Sequence, residues 1–425
     1  MNDEDDDEAG CEPATPAEAA DTGDETVKDV GRACPLDKGT TIAMRLSETQ
    51  KAIRDQFRRF MQQELEPKTP AFESGEELPF ELMRKMVVEL GLAAEVEQMG
   101  REKPAGEAGN AKSDSDSQMK SLFRFAQNQL MIEMSRVNPG YALSFGASVG
   151  LFGMNLRNKG TPEQVARYFQ PIVRAEKIGC WCLTEPGAGS DALRAMRTRA
   201  HPDGNDYVLS GEKTFITNAP YADLFLVYAK DERDVVHAFI VEKGAEGLTV
   251  SKPFRKMGMK SSPTGAVYLD EVRVPRENLL GGGIADRDHV RESLVTERMG
   301  LAVMGYGIAE RCFEIAVAYA RNRVQGGHPI SSYQMIQQRL ARMYVALSNA
   351  RRIIYEEEEM SALDVCAGKL YAAEVGTFVA LESIHILGGY GYMEEYVVER
   401  LARDAKLVEI GGGTTEIQIL TIARH

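Results

Sequence analysis

The sequence predicts a mostly α-helical fold with a β domain in its middle. Apolar residues recur at helical spacing from about residue 46 to 175, short β-type runs follow between about 178 and 274, and helical patterns return from about 284. The 425 residues, 43% of them apolar, allow about two to four domains with a large core. We expect a helical domain over 39–176, a β domain over 177–283 and a helical bundle over 284–425.

The start of the chain differs in charge from the rest. Residues 1–30 hold twelve acidic side chains and one basic one, Lys28, a net charge of −11 out of −14 for the whole chain. Because residues 1–38 also have almost no large apolar side chains, they are expected to be a disordered acidic tail. The nearly balanced remainder argues against nucleic acid as a partner, which also disfavours a DNA-associated activity.

Targeting and membrane signals are weak in this sequence. No run approaches the ~18 apolar residues of a membrane span, so no membrane span is expected. The start has neither the basic and apolar regions of a secretory signal nor the Arg-rich character of a transit peptide. Six cysteines without framework spacing indicate a reducing compartment, so the expected location is the cytoplasm or the mitochondrial matrix.

The helical part before the β domain divides into segments. Ser47, followed by Glu48 and Gln50, is typical of a helix start, and Ile53 and Phe57 begin an apolar stripe. The remaining segments are a helix from about Glu81 to Leu90, an exposed polar loop over 95–117, a helix over about 118–137 and helical structure over 140–175.

The middle part is rich in Val, Ile, Thr, Phe and Tyr. Its expected strands include Asp206–Ser210, Leu224–Ala229, His237–Glu242 and Ala266–Val272. Cys180 and Cys182 alternate with Trp181, as neighbours on one face of a strand would, and are interpreted as small core residues. With no zinc-type Cys/His spacing elsewhere, no metal site is predicted.

The segment Cys182–Asp191 (CLTEPGAGSD) is the strongest single motif. Pro186, Gly187 and Gly189 allow a tight turn that can present backbone N–H groups to a phosphate or to a ring carbonyl. The alternative is a structural turn between strands. The segment matches neither a Walker A loop nor a dinucleotide-binding fingerprint.

Several further motifs follow in order, and together they carry a resemblance. They are FITNA at 215–219, KMGMKSS at 256–262, Val274-Pro275 with NLLG at 278–281, GGYGY at 388–392, RDAK at 403–406, Gly413-Thr414 and Ile417-Gln418. With them the sequence resembles the acyl-CoA dehydrogenase family over about residues 45–425. The resemblance implies a helical domain, a β-barrel-like domain and a four-helix bundle, with FAD between the last two. It also implies a homotetramer built as a dimer of dimers.

The resemblance also implies the cofactor-binding residues. Trp181, Leu183 and Thr184 would line the flavin ring, with Gly189 and Ser190 at the pyrophosphate, Ser190 also facing the substrate. Phe215 would cover the ring in place of a family Trp, with Thr217 two residues on. The remaining cofactor contacts, several of them to a neighbouring subunit's FAD, would be Arg323, Gln334, His385, Gly388, Gly389, Thr414 and Glu416.

Three positions depart from the family pattern. Gly326-Gly327 stands where the family has Phe-Gly, and His385 stands where it has Gln, both at contacts across the subunit interface. The polar insert over 95–117 replaces a Tyr-Gly-Gly turn, so one wall of the substrate pocket is expected to differ.

The catalytic base is the most informative departure. Many family members have a Glu where this chain has Gly412, whereas isovaleryl-CoA and long-chain enzymes place it on the first long helix of the bundle. Glu297, twenty-six residues before Arg323, occupies that position. Independently, Glu297 lies within an apolar helical stripe of Leu294, Leu301, Met304 and Ile308, where burial would raise its pKa. The alternative is an ion pair with an Arg on another helix.

The residues around the base suggest the substrate. Arg298 matches a family residue near the CoA phosphates, or is an ordinary surface Arg. The Gly412 N–H would polarise the thioester carbonyl, and the small Gly411 and Gly412 would leave room for a branched or bulky acyl group. Alternatively, these glycines only allow a tight turn.

The sequence therefore predicts an FAD-dependent acyl-CoA dehydrogenase that forms a trans-2-enoyl-CoA. Glu297 would remove the α-proton, flavin N5 would accept the β-hydride, and an electron-transfer flavoprotein would accept the electrons. Two alternatives are a flavin oxidase or monooxygenase on the same fold and a non-catalytic subunit of a heteromeric dehydrogenase.

Overall fold

A computed structural model describes residues 46–92, 114–283, 287–356 and 360–424. Within these ranges, helices precede and follow a β-sheet, which confirms the predicted fold class. The predicted acidic tail over 1–38 and residues 95–113 of the polar insert lie outside the described residues.

The helices before the sheet begin close to the predicted positions. Ser47 caps α1 in a capping box with Gln50, which confirms the predicted helix start. The polar insert was expected to extend to 117, but α4 already begins at Asp114; Asp and Ser are favoured at helix starts, so these residues extend the helix. The helices are α1 (Glu48–Phe60), α2 (Glu66–Ser74), α3 (Phe80–Glu89), α4 (Asp114–Val137), α5 (Pro139–Phe145), α6 (Met154–Lys159) and α7 (Pro162–Val173).

The middle of the chain forms a seven-stranded sheet. Its order is β1-β4-β2-β3-β7-β6, with β5 on the other side of β4, and the β1–β4 pairing is parallel. The strands are β1 (Gly179–Cys182), β2 (Arg199–Asp203), β3 (Asp206–Thr217), β4 (Leu224–Lys230), β5 (Val236–Glu242), β6 (Leu248–Val250) and β7 (Thr264–Pro275). Cys180 and Cys182 are fully buried in its core, and the described residues contain no cluster suited to a metal ion.

Long helices make up the last part of the chain. They are α8 (Arg287–Asn322), α9 (Gln334–Ile354), α10 (Ala362–Leu387), α11 (Val398–Ile410) and α12 (Thr415–Ala423), with a short hairpin of β8 (Val324–Gln325) and β9 (His328–Pro329) after α8. Among the described residues, only the segment Ala362–Tyr392 is long and apolar enough to cross a bilayer. That segment contains α10, which packs against α8, α9 and α11 and buries a lysine, as a core helix does.

Helix α8 connects two hydrophobic cores. Val290 and Leu294 near its start pack with residues of the sheet. Leu301, Met304 and Ile308, about two to four turns after Leu294, are buried in the helical core, as the predicted stripe required. Glu297 lies between these two groups, so the fold places its carboxyl group where the sheet meets the bundle.

Candidate active site

Glu297 and Gly412 lie side by side in the folded chain. Gly412 is in the turn between α11 and α12, and a Cβ atom built on it would lie 3.5 Å from both Cγ and Cδ of Glu297. The same Cβ would come within 2.6 Å of Leu301 Cδ1, and the φ of Gly412 is +61°. The two positions predicted from the sequence therefore share one location.

Glu297 is half-buried, and this partial removal from water changes its acidity. Removal from water raises the pKa of its carboxyl group to about 7, although the charges of Arg298 and Lys369 oppose that rise. Among the described side chains, none forms an ion pair with Glu297 within 4 Å. This arrangement argues against the alternative in which Glu297 pairs with an Arg on another helix.

The site contains two glycine turns, of which residues 411–413 are called here the second glycine turn. Three side chains hold it. Arg298 Nε donates to the Gly412 carbonyl at 3.2 Å, and Lys369 Nζ donates to the Gly413 carbonyl at 2.7 Å. Gln418 Nε2 donates to both carbonyls, at 3.2 and 2.9 Å. The structure thus places Arg298 against the turn and against Cys366 Sγ, at 3.1 Å, rather than on an open surface.

Thr414 and Glu416 follow directly on the second glycine turn. The Thr414 hydroxyl accepts from the Ile417 N–H and caps α12, while Glu416 is exposed in the first turn of that helix. Gly411 donates its N–H to the Leu407 carbonyl at 2.8 Å, and a Cβ there would meet only ordinary contacts.

Residues 184–191, called here the first glycine turn, follow β1. Glu185 and Ala188 exchange backbone hydrogen bonds that close the turn, and Gly189 and Ser190 are exposed at its tip. Below it, the fully buried Lys213 donates to the Leu183 carbonyl at 3.2 Å and to Glu185 Oε1 at 2.9 Å. Although burial disfavours the charged carboxylate, Lys213 and Thr198 lower the pKa of Glu185 below its usual value.

Phe215 has an unusual backbone. A bulge between Lys213 and Ile216 interrupts the pairing of β3 with β7, and Phe215 takes a φ of +59°. Positive φ is strained for a bulky side chain, and 70% of Phe215 is exposed, in edge contact with Phe254. Strain that presents an aromatic ring, with Thr217 two residues further along the strand, is typical of a binding site.

Tyr228, on β4, interacts with Trp181 on β1 and with Ser293 on α8. Trp181 Nε1 donates to the Tyr228 hydroxyl at 3.0 Å, and their rings pack edge to face at 5.6 Å. Burial raises the pKa of Tyr228 to about 12, hydrogen bonds with Trp181 and Ser293 oppose this rise, and the charge of Glu297 adds to it. Leu183 and Trp181 also pack in one cluster with Leu294. The fold therefore brings the predicted flavin-lining residues of β1 to the predicted base.

A second set of predicted residues lines a pocket of about 570 Å³. Its walls include Arg323, Gly388 and Gly389, and the Arg323 guanidinium lies 5.5 Å from the centre of the Tyr390 ring. All lining residues come from α8, α10 and the connections after them. Gln334 and His385, which were predicted to contact the same cofactor, are exposed. His385 Nδ1 lies 3.6 Å from Glu382 Oε1.

The Gly326-Gly327 departure has a structural explanation. The two residues form the β8–β9 turn with φ of +58° and +81°, as a tight two-residue hairpin requires. A Cβ on Gly326 would lie 2.7 Å from the Tyr333 hydroxyl, which donates to the Gln325 carbonyl. A Phe at this position would adopt a strained positive φ and would require the Tyr333 hydroxyl to move.

Five residues of this region were given no role from the sequence: Glu185 and Gln418, which lie within the recognised motifs, and Lys213, Tyr228 and Lys369. For Lys369 a signal existed, because its helical neighbours Val365, Cys366, Ala372 and Ala373 are all apolar and are all buried. For Lys213 no comparable signal existed, since two register shifts in β3 break the alternation of buried and exposed positions.

Family models match most of the described chain. The acyl-CoA dehydrogenase N-terminal, middle and C-terminal domains match residues 47–100, 180–272 and 288–425. Two curated relatives are a probable acyl-CoA dehydrogenase YngJ of Bacillus subtilis, 36% identical over 89% of this chain and 98% of its own, and a mitochondrial isovaleryl-CoA dehydrogenase of Pongo abelii, 34% identical over 89% of both.

A solved structure agrees with these matches. An acyl-CoA dehydrogenase from Bacillus anthracis in complex with FAD superposes with a TM-score of 0.78 at 31% identity, over 89% of this chain and 66% of that one. The fold, the ordered motifs and these relatives agree. The chain therefore belongs to the acyl-CoA dehydrogenase family, a family of oxidoreductases whose cofactor is FAD.

Proposed function

We propose that this protein removes the α-proton and β-hydride of a saturated acyl-CoA, with Glu297 as the base, and releases the trans-2-enoyl-CoA. The observation that carries the proposal is the shared location of Glu297 and Gly412. Because the base of the family comes from either of these two positions, a carboxylate from α8 replaces the one that Gly412 lacks.

Glu297 is suited to this step. An α-proton of a thioester is a very weak acid, so its removal requires a base with a raised pKa that is still ionised near neutral pH. A pKa of about 7 meets both requirements. The Gly412 N–H would donate to the thioester carbonyl while the proton leaves, stabilising the negative charge that develops on its oxygen.

The residues around the site fit FAD. An exposed aromatic ring at Phe215, an exposed Gly189-Ser190 tip and a Trp181 that packs in one cluster with Leu294, three residues before the base, suit a flat ring and a pyrophosphate. Trp181, Leu183, Thr184, Phe215 and Thr217 would hold the ring, with Gly189 and Ser190 at the pyrophosphate. When bound, FAD supplies the acceptor for the β-hydride at its N5 atom, and an electron-transfer flavoprotein would take up the electrons.

The proposed substrate is a branched or bulky acyl-CoA. Gly411 and Gly412 contribute no side chains beside Glu297, so the acyl group would lie against backbone there. A relative with a branched substrate in its name, the isovaleryl-CoA dehydrogenase, supports this choice. Ser190 and Arg298 would contact the CoA part of the substrate, and Arg298 would do so while bound to the Gly412 carbonyl.

The proposed assembly is a homotetramer. The Arg323 pocket is formed by the bundle alone and is lined by a cation and by two glycines, as expected for the phosphates and adenine of a neighbouring subunit's cofactor. Gln334, His385, Gly388 and Gly389 would complete it, and Thr414 and Glu416 would make the last cofactor contacts.

The test is an anaerobic titration of the purified holoenzyme with isovaleryl-CoA, butyryl-CoA and palmitoyl-CoA. Loss of flavin absorbance near 450 nm with isovaleryl-CoA, and little loss with butyryl-CoA, is the expected result. Equal reduction by straight-chain thioesters would contradict the substrate class. No reduction by any thioester, or rapid reoxidation by oxygen in place of an electron-transfer flavoprotein, would favour a non-catalytic subunit or a flavin oxidase instead.

A further inference from the structure

Lys369 is a buried lysine whose position the proposed chemistry does not yet explain. It lies on α10 with no exposed surface, and its Nζ donates to the Gly413 carbonyl at 2.7 Å. Lysine is almost never fully buried without a partner, because removing an ammonium group from water is costly. Interactions in the folded chain must therefore offset the cost of burying Lys369.

Holding the Gly413 carbonyl does not by itself require a charge. Gln418 Nε2 already donates to the same carbonyl at 2.9 Å, and Arg298 and Gln418 both donate to the Gly412 carbonyl. A neutral donor on α10 would complete the turn equally well. The positive charge of Lys369 is therefore free to act on a further group beside the turn.

Glu297 lies beside this turn, because a Cβ on Gly412 would be 3.5 Å from its Cδ, while Lys369 binds the carbonyl of the next residue, Gly413. The charges of Lys369 and Glu297 affect each other, since Lys369 opposes the rise in the pKa of Glu297, and Glu297 opposes the fall in the pKa of Lys369. The other groups that face Lys369 are Arg298 on α8, Cys366 on α10 itself and Glu409 on α11, while Arg298 and Tyr228 face Glu297.

We propose that Lys369 is a positioning residue for the base: it holds the second glycine turn and, through its charge, keeps the Glu297 carboxylate ionised at neutral pH. This inference rests on the proposed function, because it assigns Lys369 a part in the same proton transfer. Lys369 itself does not touch the reacting atoms in this assignment.

The expected effect of removing the charge has a definite sign. Without the cation, burial acts on Glu297 with less opposition, so the pKa of Glu297 rises and less of the base is ionised at a given pH. Because burial lowers the pKa of Lys369 to about 8, the native charge is itself lost above that pH. The difference between native and variant enzymes is therefore largest below pH 8 and fades above it.

The test measures the pH dependence of anaerobic flavin reduction by isovaleryl-CoA for the holoenzyme and for Lys369→Met. A rise of about one unit in the pKa of the base would slow reduction about fivefold at pH 7 and leave the rates nearly equal at pH 9. Lys369→Arg, whose charge persists at all these pH values, is expected to keep the native midpoint. Lys243→Met, an exposed lysine after β5, is the matched control.

Two outcomes would overturn the inference. If Lys369→Met lowers the rate by one factor at every pH, the residue is only structural. If Lys369→Met loses FAD or does not fold, Lys369→Arg decides: a midpoint moved toward higher pH despite a retained charge would contradict the proposal. Retained reduction in Glu297→Gln would instead overturn the proposed function, so the two failures are distinguishable.

Discussion

Each of the two glycine turns is held by a buried lysine, but the glycines themselves serve different purposes in the two turns. In the first turn, a Cβ on Gly187 or Gly189 would meet nothing within 4 Å, and neither residue has a positive φ. In the second turn, Gly412 and Gly413 have φ of +61° and +91°, and a Cβ on Gly413 would lie 2.8 Å from Gln418. The first turn uses glycine to expose its backbone, whereas the second uses it to adopt positive φ where Leu301 and Gln418 pack closely.

The two lysines also differ in the group that each one contacts. Lys213 contacts the Glu185 carboxylate directly, so the pair adds little net charge below the first turn. Lys369 contacts a carbonyl, and its charge acts on Glu297 at a distance. We infer that Lys213 mainly stabilises the fold, whereas Lys369 mainly affects the ionisation of Glu297.

The largest expected effect is on Glu297. Glu297→Gln keeps the shape of the side chain but cannot accept a proton, so anaerobic flavin reduction by isovaleryl-CoA should fall by about 10²–10⁴-fold, with FAD still bound. Glu292→Gln, an exposed glutamate one turn earlier on α8, is the control and should reduce at the native rate. Rapid reduction in Glu297→Gln would remove it as the base.

The second largest expected effect is at the buried Lys213–Glu185 pair below the first glycine turn. Lys213→Met leaves the Glu185 carboxylate buried without its cation, which should lower the free energy of unfolding by about 3–5 kcal/mol. Urea denaturation followed by fluorescence measures this change, and Lys243→Met again serves as the control. A loss below about 1 kcal/mol would show that the comparison of the two lysines is wrong.

The pH profile of the native enzyme is the third test. Since burial raises the pKa of Glu297 to about 7, the base is protonated below that pH and ionised above it. The rate of flavin reduction should rise about tenfold between pH 6 and pH 8. A constant rate over this range, with FAD retention checked by absorbance, would mean that the carboxyl group titrates near its ordinary value.

The smallest expected effect is the difference in stability between alanine substitutions in the two glycine turns. Gly412→Ala must place a Cβ at positive φ and against Leu301, and should lower the free energy of unfolding by about 1–2 kcal/mol. Gly187→Ala should change it by less than about 0.5 kcal/mol, because the added methyl group meets open space. Equal losses in thermal denaturation would contradict the distinction between the turns.

Some features could be predicted because they depend on local periodicity or on short motifs. The apolar stripe of α8 predicted where Glu297 lies, and the capping box of Ser47 predicted the start of α1. The ordered motifs predicted the family, the three-part fold and the cofactor, which the family matches confirm.

Tertiary structure alone decided which groups act together. Lys369 reaches the carbonyl of Gly413, Lys213 reaches Glu185, and Tyr228 accepts a hydrogen bond from Trp181, each between different elements of the chain. No repeat of 2 or 3.6 residues relates such positions, since periodicity reports only which face of one element is buried. The acidity of Glu297 depends on how much water and which charges those distant elements leave around it, and only the packed chain specifies that.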